Sequence, residues 1–420
     1  MIPLQRIRED PDAIRRGAEL KGEPAPVDEI LQLDERARAL RVQVENLRAE
    51  QNAASKQIRG RPNDEQREEL AQLKRRLQDG EAELSALDAQ IQDLLLYVPN
   101  PPHESVPVGE SEDDNVPVRQ WGEPRQFDFA PRPHYDIGEQ LGIFDFERAV
   151  KISGARFAVL RGAGARLHRA LGLWFLDVAT LRHGYTEIAP PLLVRRETMV
   201  GAAQLPKFED QAYHSDDDTF LIPTAEVPVT NLYRDEILDA AQLPIKHVAF
   251  TPCFRREAGA AGKDTRGYIR MHQFEKVELV KFTTPETSLD ELDSLVADAE
   301  TLLQELGIHY RVLSMCTADM GFAQWKKYDL EAWAPGMGRW LEVSSCSVFG
   351  EFQARRAGIR YRPAPGEKPR YVHTLNGSGL ALARVFDAVL ETYQQADGSV
   401  VVPEVLRPYM AGIERLTASA

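Results

Sequence analysis

Between Ile30 and Ile58, and again between Leu70 and Leu94, small and apolar residues recur at alternating steps of three and four, which commits this part of the chain to two long helices joined along a narrow seam. The first seam reads Ile30, Leu33, Ala37, Leu40, Val44, Leu47, Gln51, Ala54 and Ile58. The second reads Leu70, Leu73, Leu77, Gly80, Leu84, Leu87, Ile91 and Leu94, with Gly80 a locally weak point. GRPND, Gly60 to Asp64, separates them, and glycine and proline stop helices and favour turns. The pattern predicts an antiparallel helical hairpin over residues 28–97, with arms about 45 Å long at about 1.5 Å per residue. Residues 48–76 around its tip carry eight basic against five acidic side chains. A basic tip suits an arm reaching for an RNA backbone; oligomerisation, or packing on its own body, is the structural alternative.

The rest of the composition narrows the function classes. A net charge of −14 over 420 residues argues against a general nucleic-acid binder, so RNA contact must rest on local basic patches. Cys253, Cys316 and Cys346 are too few and scattered for a disulfide framework or a paired CxxC metal site. No apolar run of about 18 residues occurs and the N-terminus lacks the apolar centre of a secretory signal, so the expectation is a cytoplasmic protein with no membrane partner. Residues 98–136, rich in Pro, Gly and acids, read as a linker. The expected domains are residues 1–105, with the arm, and 106–420. In the second, a helix over Ala165–Gly184 and extended runs near 220–222, 247–256, 268–282, 310–314, 340–349 and 371–376 predict an α+β fold, a mostly antiparallel sheet flanked by helices.

TPCFRREAGAAGKDTRGYIRMHQFEKVELV, residues 251–280, is the most informative stretch for chemistry. As a hairpin of two strands, period-2 geometry places Arg255 with Glu257, and Phe274 with Glu278, on shared faces. Phe274 and Glu278 then lie about 13 Å apart at about 3.3 Å per residue, a separation that suits a nucleotide base at one end and a small ammonium at the other. No P-loop or Rossmann glycine motif is present; GAAGKDT lacks the spacing and has Asp264 where a hydroxyl is required. The HIGH and KMSKS signatures of class I synthetases are absent as well.

The ordered motifs resemble class II aminoacyl-tRNA synthetases, and within them the bacterial-type seryl family, over essentially the whole chain. GYTEIAPPLLV resembles motif 1, with Pro191 at the dimer-interface position; FRREAG…RGYIRMHQFEKVE resembles motif 2; GLALARVF resembles motif 3. TAEVP, EVSSCS, FQARR and HTLNGSG are closer to the seryl branch. SVFGEFQARR departs from the commoner pattern, which leaves the contribution of Val348, Phe349 and Glu351 to the site wall open.

The resemblance implies an ATP site made by Arg255, Arg256, Glu257, Arg270, Met271, Phe274, Glu342, Val343, Ser344, Ser345 and Arg384. Arg255 would contact the α-phosphate and the amino-acid carboxylate, Glu257 the adenine amino group, and Phe274 and Arg384 would sandwich the base. Packing in a core is the plainer role for an isolated Phe274, and a surface position for Arg384. Arg255, Glu342 and Arg384 would be the catalytic set, and Glu342 with Ser345 would hold Mg²⁺ with ATP. An i, i+3 pair points to opposite faces of a regular strand, so a bulge or strand end is predicted near Ser344.

Serine recognition falls by the same resemblance to Thr224, Ala225, Glu226, Arg255, Glu278, Asn376 and Ser378; a site built on such polar groups rejects analogues lacking the hydroxyl. tRNA contacts fall to Arg48, Lys56, Arg59, Arg61, Arg67, Lys74, Arg75 and Arg76 on the arm and, by the resemblance, to Lys263 and Arg266 in the loop Ala258 to Gly267, for which a flexible hairpin tip is the alternative. The implied partners are ATP, L-serine, tRNA(Ser) and tRNA(Sec), with a homodimer binding tRNA across its subunits. No zinc framework of the archaeal seryl type is expected. A ligase charging a carrier protein, or a non-catalytic RNA-binding relative, would share parts of this pattern; the intact arm argues against the first, and Arg255, Glu257, Phe274 and Arg384 together argue against the second.

Overall fold

The computed structural model describes residues 1–57, 63–258 and 266–418, and the chain divides into two compact units, Met1–Pro101 and Pro102–Ala420. In the first, helix α1 (Val27–Gln57) and helix α2 (Asp64–Leu95) pair side by side. Arg41 Nη2 donates to the Asp88 carboxylate at 3.0 Å and Arg48 Nη2 to Glu81 at 2.5 Å, so later residues of one helix meet earlier residues of the other and the pair is antiparallel. Ile30, Ala37, Val44, Leu77, Leu87 and Ile91 are buried along the predicted seam. Gly80 permits a close approach there, since a Cβ would sit 3.0 Å from Val44 Cγ2.

Asn63 starts α2 with a reciprocal cap: its side chain accepts from Gln66 N at 2.8 Å while Gln66 Oε1 accepts from Asn63 N at 3.1 Å. Ile58 and Gly60 to Pro62 of the expected seam and reversal lie outside the described residues. Near the start of α1, Asp34 is buried and accepts from Arg8 Nε at 2.7 Å and Arg38 Nε at 3.1 Å. It ties the short preceding helix Leu4–Glu9 to the arm.

The second unit is built on an eight-stranded sheet. In chain order its strands are β1 (Val116–Trp121), β2 (Thr186–Glu187), β3 (Ile245–Phe254), β4 (Gln273–Thr283), β5 (Tyr310–Ser314), β6 (Lys326–Ala334), β7 (Arg339–Gly350) and β8 (His373–Ala381). Their spatial order is β1-β5-β6-β7-β8-β4-β3-β2. Every pairing is antiparallel except the short β2–β3 edge. Helices α3 (Gly162–Leu181), α4 (Ser288–Glu305) and α6 (Leu382–Tyr393) pack their apolar stripes onto the sheet in one core with Val277, Leu279, Leu330, Val343 and Val348. Helix α5 (Phe352–Ala357) joins Ala249, Val280 and Phe282 in a smaller core. Along β4, odd positions such as Val277 and Leu279 therefore meet the large core, whereas Val280 and Phe282 belong to the opposite face.

Three strands of the sheet depart from the sequence reading, the two-residue β2 being the shortest. The stretch taken as linker contains β1, which pairs with β5 from Val116↔Ser314 to Trp121↔Tyr310 at the edge of the sheet. All six β1 residues are exposed, so no alternation of apolar and polar residues marks the strand. Strand β6, KKYDLEAWA, was also absent from the expected runs; its charged residues dilute the apolar signal although Asp329, Leu330 and Ala332 are buried. No helix among the described residues is long and apolar enough to cross a membrane.

Candidate active site

Strands β4, β7 and β8, the start of α6, the segment 199–226 and residues Arg255, Glu257 and Ile269 to Met271 line a cavity of about 460 Å³. Of the residues expected at an ATP site it brings together Arg255, Glu257, Arg270, Met271, Phe274, Glu342, Ser345 and Arg384; of those expected to hold serine, Thr224, Glu226, Arg255, Asn376 and Ser378.

Arg255 and Glu257 reach the cavity by a different route from strand alternation. Strand β3 ends at Phe254, paired with Gln273, and both residues lie beyond it. Glu257 has φ +49°, a left-handed conformation uncommon for a residue with a Cβ. Its carboxylate accepts from Arg270 Nη1 at 2.7 Å, and Arg270 itself precedes β4 rather than sharing its face. Arg255 donates through Nε to Pro223 O at 3.3 Å, and its guanidinium lies 5.1 Å from the Phe274 ring centroid. Arg384, the third residue of α6 and off its apolar stripe, donates to Ile269 O at 3.3 Å and Glu342 O at 2.8 Å.

The predicted irregularity on β7 is present. Glu342 pairs with Glu331 and Ser344 with Leu330, which leaves Val343 as the extra residue of a bulge. That insertion turns an i, i+3 pair into near neighbours on one face, and Glu342 and Ser345 both line the cavity. Desolvation inside the cavity opposes ionisation of Glu342, whose side chain keeps 45% of its surface exposed, but Arg384, Lys327 and Arg255 outweigh it and hold its carboxyl below the usual range.

At the polar end, Glu226 is 5% exposed and accepts from Gln353 Nε2 at 2.6 Å and Asn376 Nδ2 at 2.9 Å. Asn376 Nδ2 also donates to Glu278 Oε1 at 3.1 Å. Burial, followed by the charge of Glu278, pushes the Glu226 carboxyl up to about 7; burial likewise raises Glu278. An ammonium entering here would meet the Glu226 carboxylate, which lines the cavity with no cationic side chain hydrogen-bonded to it among the described residues, while Glu278 behind Asn376 adds negative potential, an arrangement that favours a cation.

Several expected residues stand outside the cavity wall. Glu278 is buried behind Asn376 and ion-paired with Lys276. Ala225 and Val343 are core residues, and Ser344 Oγ donates to Ser378 O at 2.6 Å. Arg256 is exposed, with its guanidinium 6.0 Å from the Tyr213 ring. On the arm, Arg48 is ion-paired with Glu81 and Arg67 with Asp64, while Lys56, Lys74, Arg75 and Arg76 are exposed. Arg266 lies over Tyr135 at 4.7 Å; Arg59, Arg61 and Lys263 lie outside the described residues.

Sequence reasoning missed Lys276, Gln324 and Ser347, which also line the cavity. Lys276 was within reach: the alternation that puts Phe274 and Glu278 on one face puts Lys276 between them. Gln324 donates to Ser347 Oγ at 3.0 Å across 23 residues, a contact with no local signal.

Comparison with known proteins places this geometry. Residues 207–393 match the model of the class II tRNA synthetase core domain (G, H, P, S and T), and residues 1–102 match that of the seryl-tRNA synthetase N-terminal domain. A serine–tRNA ligase of Caldanaerobacter subterraneus subsp. tengcongensis is 55% identical, with 98% of each chain covered. The chain belongs to the seryl-tRNA synthetase family. It is accordingly a class II aminoacyl-tRNA synthetase, a serine–tRNA ligase. The fold agrees with solved members of the family: the seryl-tRNA synthetase of Pyrococcus horikoshii complexed with ATP superposes with a TM-score of 0.94 at 39% identity, covering 100% of both chains. The cytoplasmic serine–tRNA ligase of Naegleria fowleri in complex with AMP gives 0.89 at 31% identity, covering 100% of this chain and 99% of that one. For a seryl-tRNA synthetase, the clustering of Arg255, Phe274 and Arg384 in one cavity with Glu226 and Asn376 is the feature that needs a chemical account.

Proposed function

We propose that this cavity joins L-serine to ATP, forming seryl-adenylate and pyrophosphate, and that the same site then transfers the seryl group to the 3′ end of tRNA(Ser). The observation that carries the reading is the juxtaposition of the buried Glu226 carboxylate with a cation-rich wall at Arg255, Arg270, Lys276 and Arg384. The first suits the serine ammonium and hydroxyl, with Thr224, Asn376 and Ser378 as neutral polar partners and Glu278 acting through Asn376. The second suits phosphates. The serine carboxylate attacks the α-phosphorus and pyrophosphate leaves; Arg255 stabilises the charge that develops at that phosphate, so positioning and electrostatics supply the acceleration. Phe274 offers a stacking surface for adenine, Glu257 an acceptor for its amino group, and Arg384 a second cationic face.

Glu342 and Ser345 are the residues that would hold Mg²⁺. The bulge sets two oxygen donors side by side, and no group of three or more His, Cys, Asp or Glu side chains able to hold a metal occurs among the described residues. This donor set fits an ion completed by ATP oxygens and water. When bound, such an ion neutralises phosphate charge.

The basic residues of the arm, with Lys263 and Arg266, are the proposed tRNA contacts, and tRNA(Sec) is a second acceptor by family resemblance. We place the enzyme in the cytoplasm as a homodimer in which the arm of one subunit engages tRNA at the site of the other. Exposed apolar residues on the segment near motif 1, Leu173, Leu181 and Leu193, support a covered face there. The test is charging of total tRNA with each common amino acid in turn: serine alone should be esterified, whereas activation without any charging would favour a carrier ligase.

A further inference from the structure

We propose that His134, Asp387 and Glu391 form a buried clamp that positions the Arg384-bearing helix against the segment Gly267–Arg270, making His134 a positioning residue for ATP binding. The inference rests on reading the cavity as an ATP site. All three side chains are without exposed surface, and none lines the cavity.

One oxygen of Glu391 accepts from the His134 backbone N–H at 2.9 Å and faces ring Nδ1 at 2.8 Å. Its other oxygen accepts from Gly336 N at 2.8 Å and Met337 N at 3.1 Å, in the turn between β6 and β7. A single carboxylate thus ties α6 to that turn and to the helix His134–Leu141. On the far side of the ring, Nε2 lies 3.4 Å from both Asp387 Oδ2 and Tyr268 N. Gly267, at φ +84°, passes so close that a Cβ would stand 2.1 Å from Nε2.

Asp387 is one turn beyond Arg384, and Arg384 Nε donates to Ile269 O, two residues beyond Gly267. The contacts close a circuit: Gly267 to His134, His134 to Asp387, Asp387 along the helix to Arg384, and Arg384 back to Ile269. Neither Asp387 oxygen has a hydrogen-bond partner among the described residues, so His134 is what compensates it. Burial pushes the Asp387 carboxyl up to about 7; burial opposes charge on His134, but Asp387 and Glu391 outweigh it and raise the imidazole. Apolar packing tolerates small slides, whereas the contact of Glu391 with Nδ1 and that of Tyr268 N–H with Nε2 are directional and do not, and the charge of Asp387 sits against the same edge of the ring. The register of Arg384 with Ile269 is therefore set at His134.

The experiment is steady-state pyrophosphate exchange on the full-length enzyme, varying ATP and serine separately, with thermal unfolding of each variant. His134→Ala should raise KM for ATP about tenfold, the loss expected for one charge-assisted contact, with serine KM and kcat within about twofold. Asp387→Ala should do the same, and supplies the test if the histidine variant does not fold. Asp387→Asn, which keeps shape and a hydrogen-bonding group beside Nε2, should recover most of the loss. An unchanged ATP KM in the folded alanine variants, or equal changes in both KM values and kcat, overturns the clamp. Wild-type enzyme lacking serine-dependent exchange would instead overturn the ATP-site reading.

Discussion

Glu226 shows how one residue can serve the site against the interest of the fold. Its carboxyl titrates near 7, pushed up by burial and then by Glu278. Between about 4.5 and 7 the folded protein holds a proton that the unfolded chain has released, so this residue lowers stability as pH rises through that window. Wild-type unfolding free energy should therefore fall, relative to Glu226→Gln, by up to about 3 kcal/mol between pH 4.5 and pH 8. Denaturant titrations of both proteins across that range check this; the comparison of slopes cancels any constant cost of the lost acceptor, and parallel pH profiles would contradict it. Serine affinity should move the other way, KM falling as pH rises through 7, because the ammonium pairs with the ionised form. Half of the residues that line the cavity, Glu226, Arg255 and Arg384 among them, were named through family motifs. Ser347 and Gln324 were not, because a contact across a sheet leaves no trace in local spacing.

Elements differ in how much of themselves they show in sequence. The seams of α1 and α2 are legible because a helix pair held along one stripe repeats its spacing for eight turns or so. The bulge at Val343 is legible for the opposite reason: Glu342 and Ser345 cannot share a face of a regular strand, so their joint role demands an irregularity. Strand β1 hides because a fully exposed edge strand needs no apolar alternation, and its Pro117 and acidic neighbours imitate a linker. Arg255 and Glu257 both line the cavity, but not by the strand alternation expected of them, since a left-handed φ at Glu257 is not encoded by any residue preference of glutamate. If the bulge makes Glu342 and Ser345 joint oxygen donors, their effects should not be additive. A double-mutant cycle with Glu342→Gln and Ser345→Ala, read as the magnesium concentration giving half-maximal exchange, should show coupling of about 1 kcal/mol or more. Additive effects would mean the two side chains act apart.

For the whole molecule, a net charge of −14 makes tRNA binding a matter of where the cations lie rather than how many there are. Within the arm, Arg48 and Arg67 are exposed but ion-paired with Glu81 and Asp64, and Lys56, Lys74, Arg75 and Arg76 are exposed cations of the described tip outside those two pairs. Deleting residues 31–96 should leave pyrophosphate exchange within about threefold of wild type, since the cavity residues all belong to the second unit, and should weaken tRNA charging by about a hundredfold or more. Unchanged charging by the truncated enzyme would make the arm purely structural.

The central claim is that this cavity forms seryl-adenylate with Arg255 at the reacting phosphate, and serine-dependent pyrophosphate exchange by wild type and Arg255→Ala tests it most directly. The account predicts exchange with serine in the wild type, and a loss of about a hundredfold or more in a variant that remains folded. Normal exchange by Arg255→Ala would contradict it.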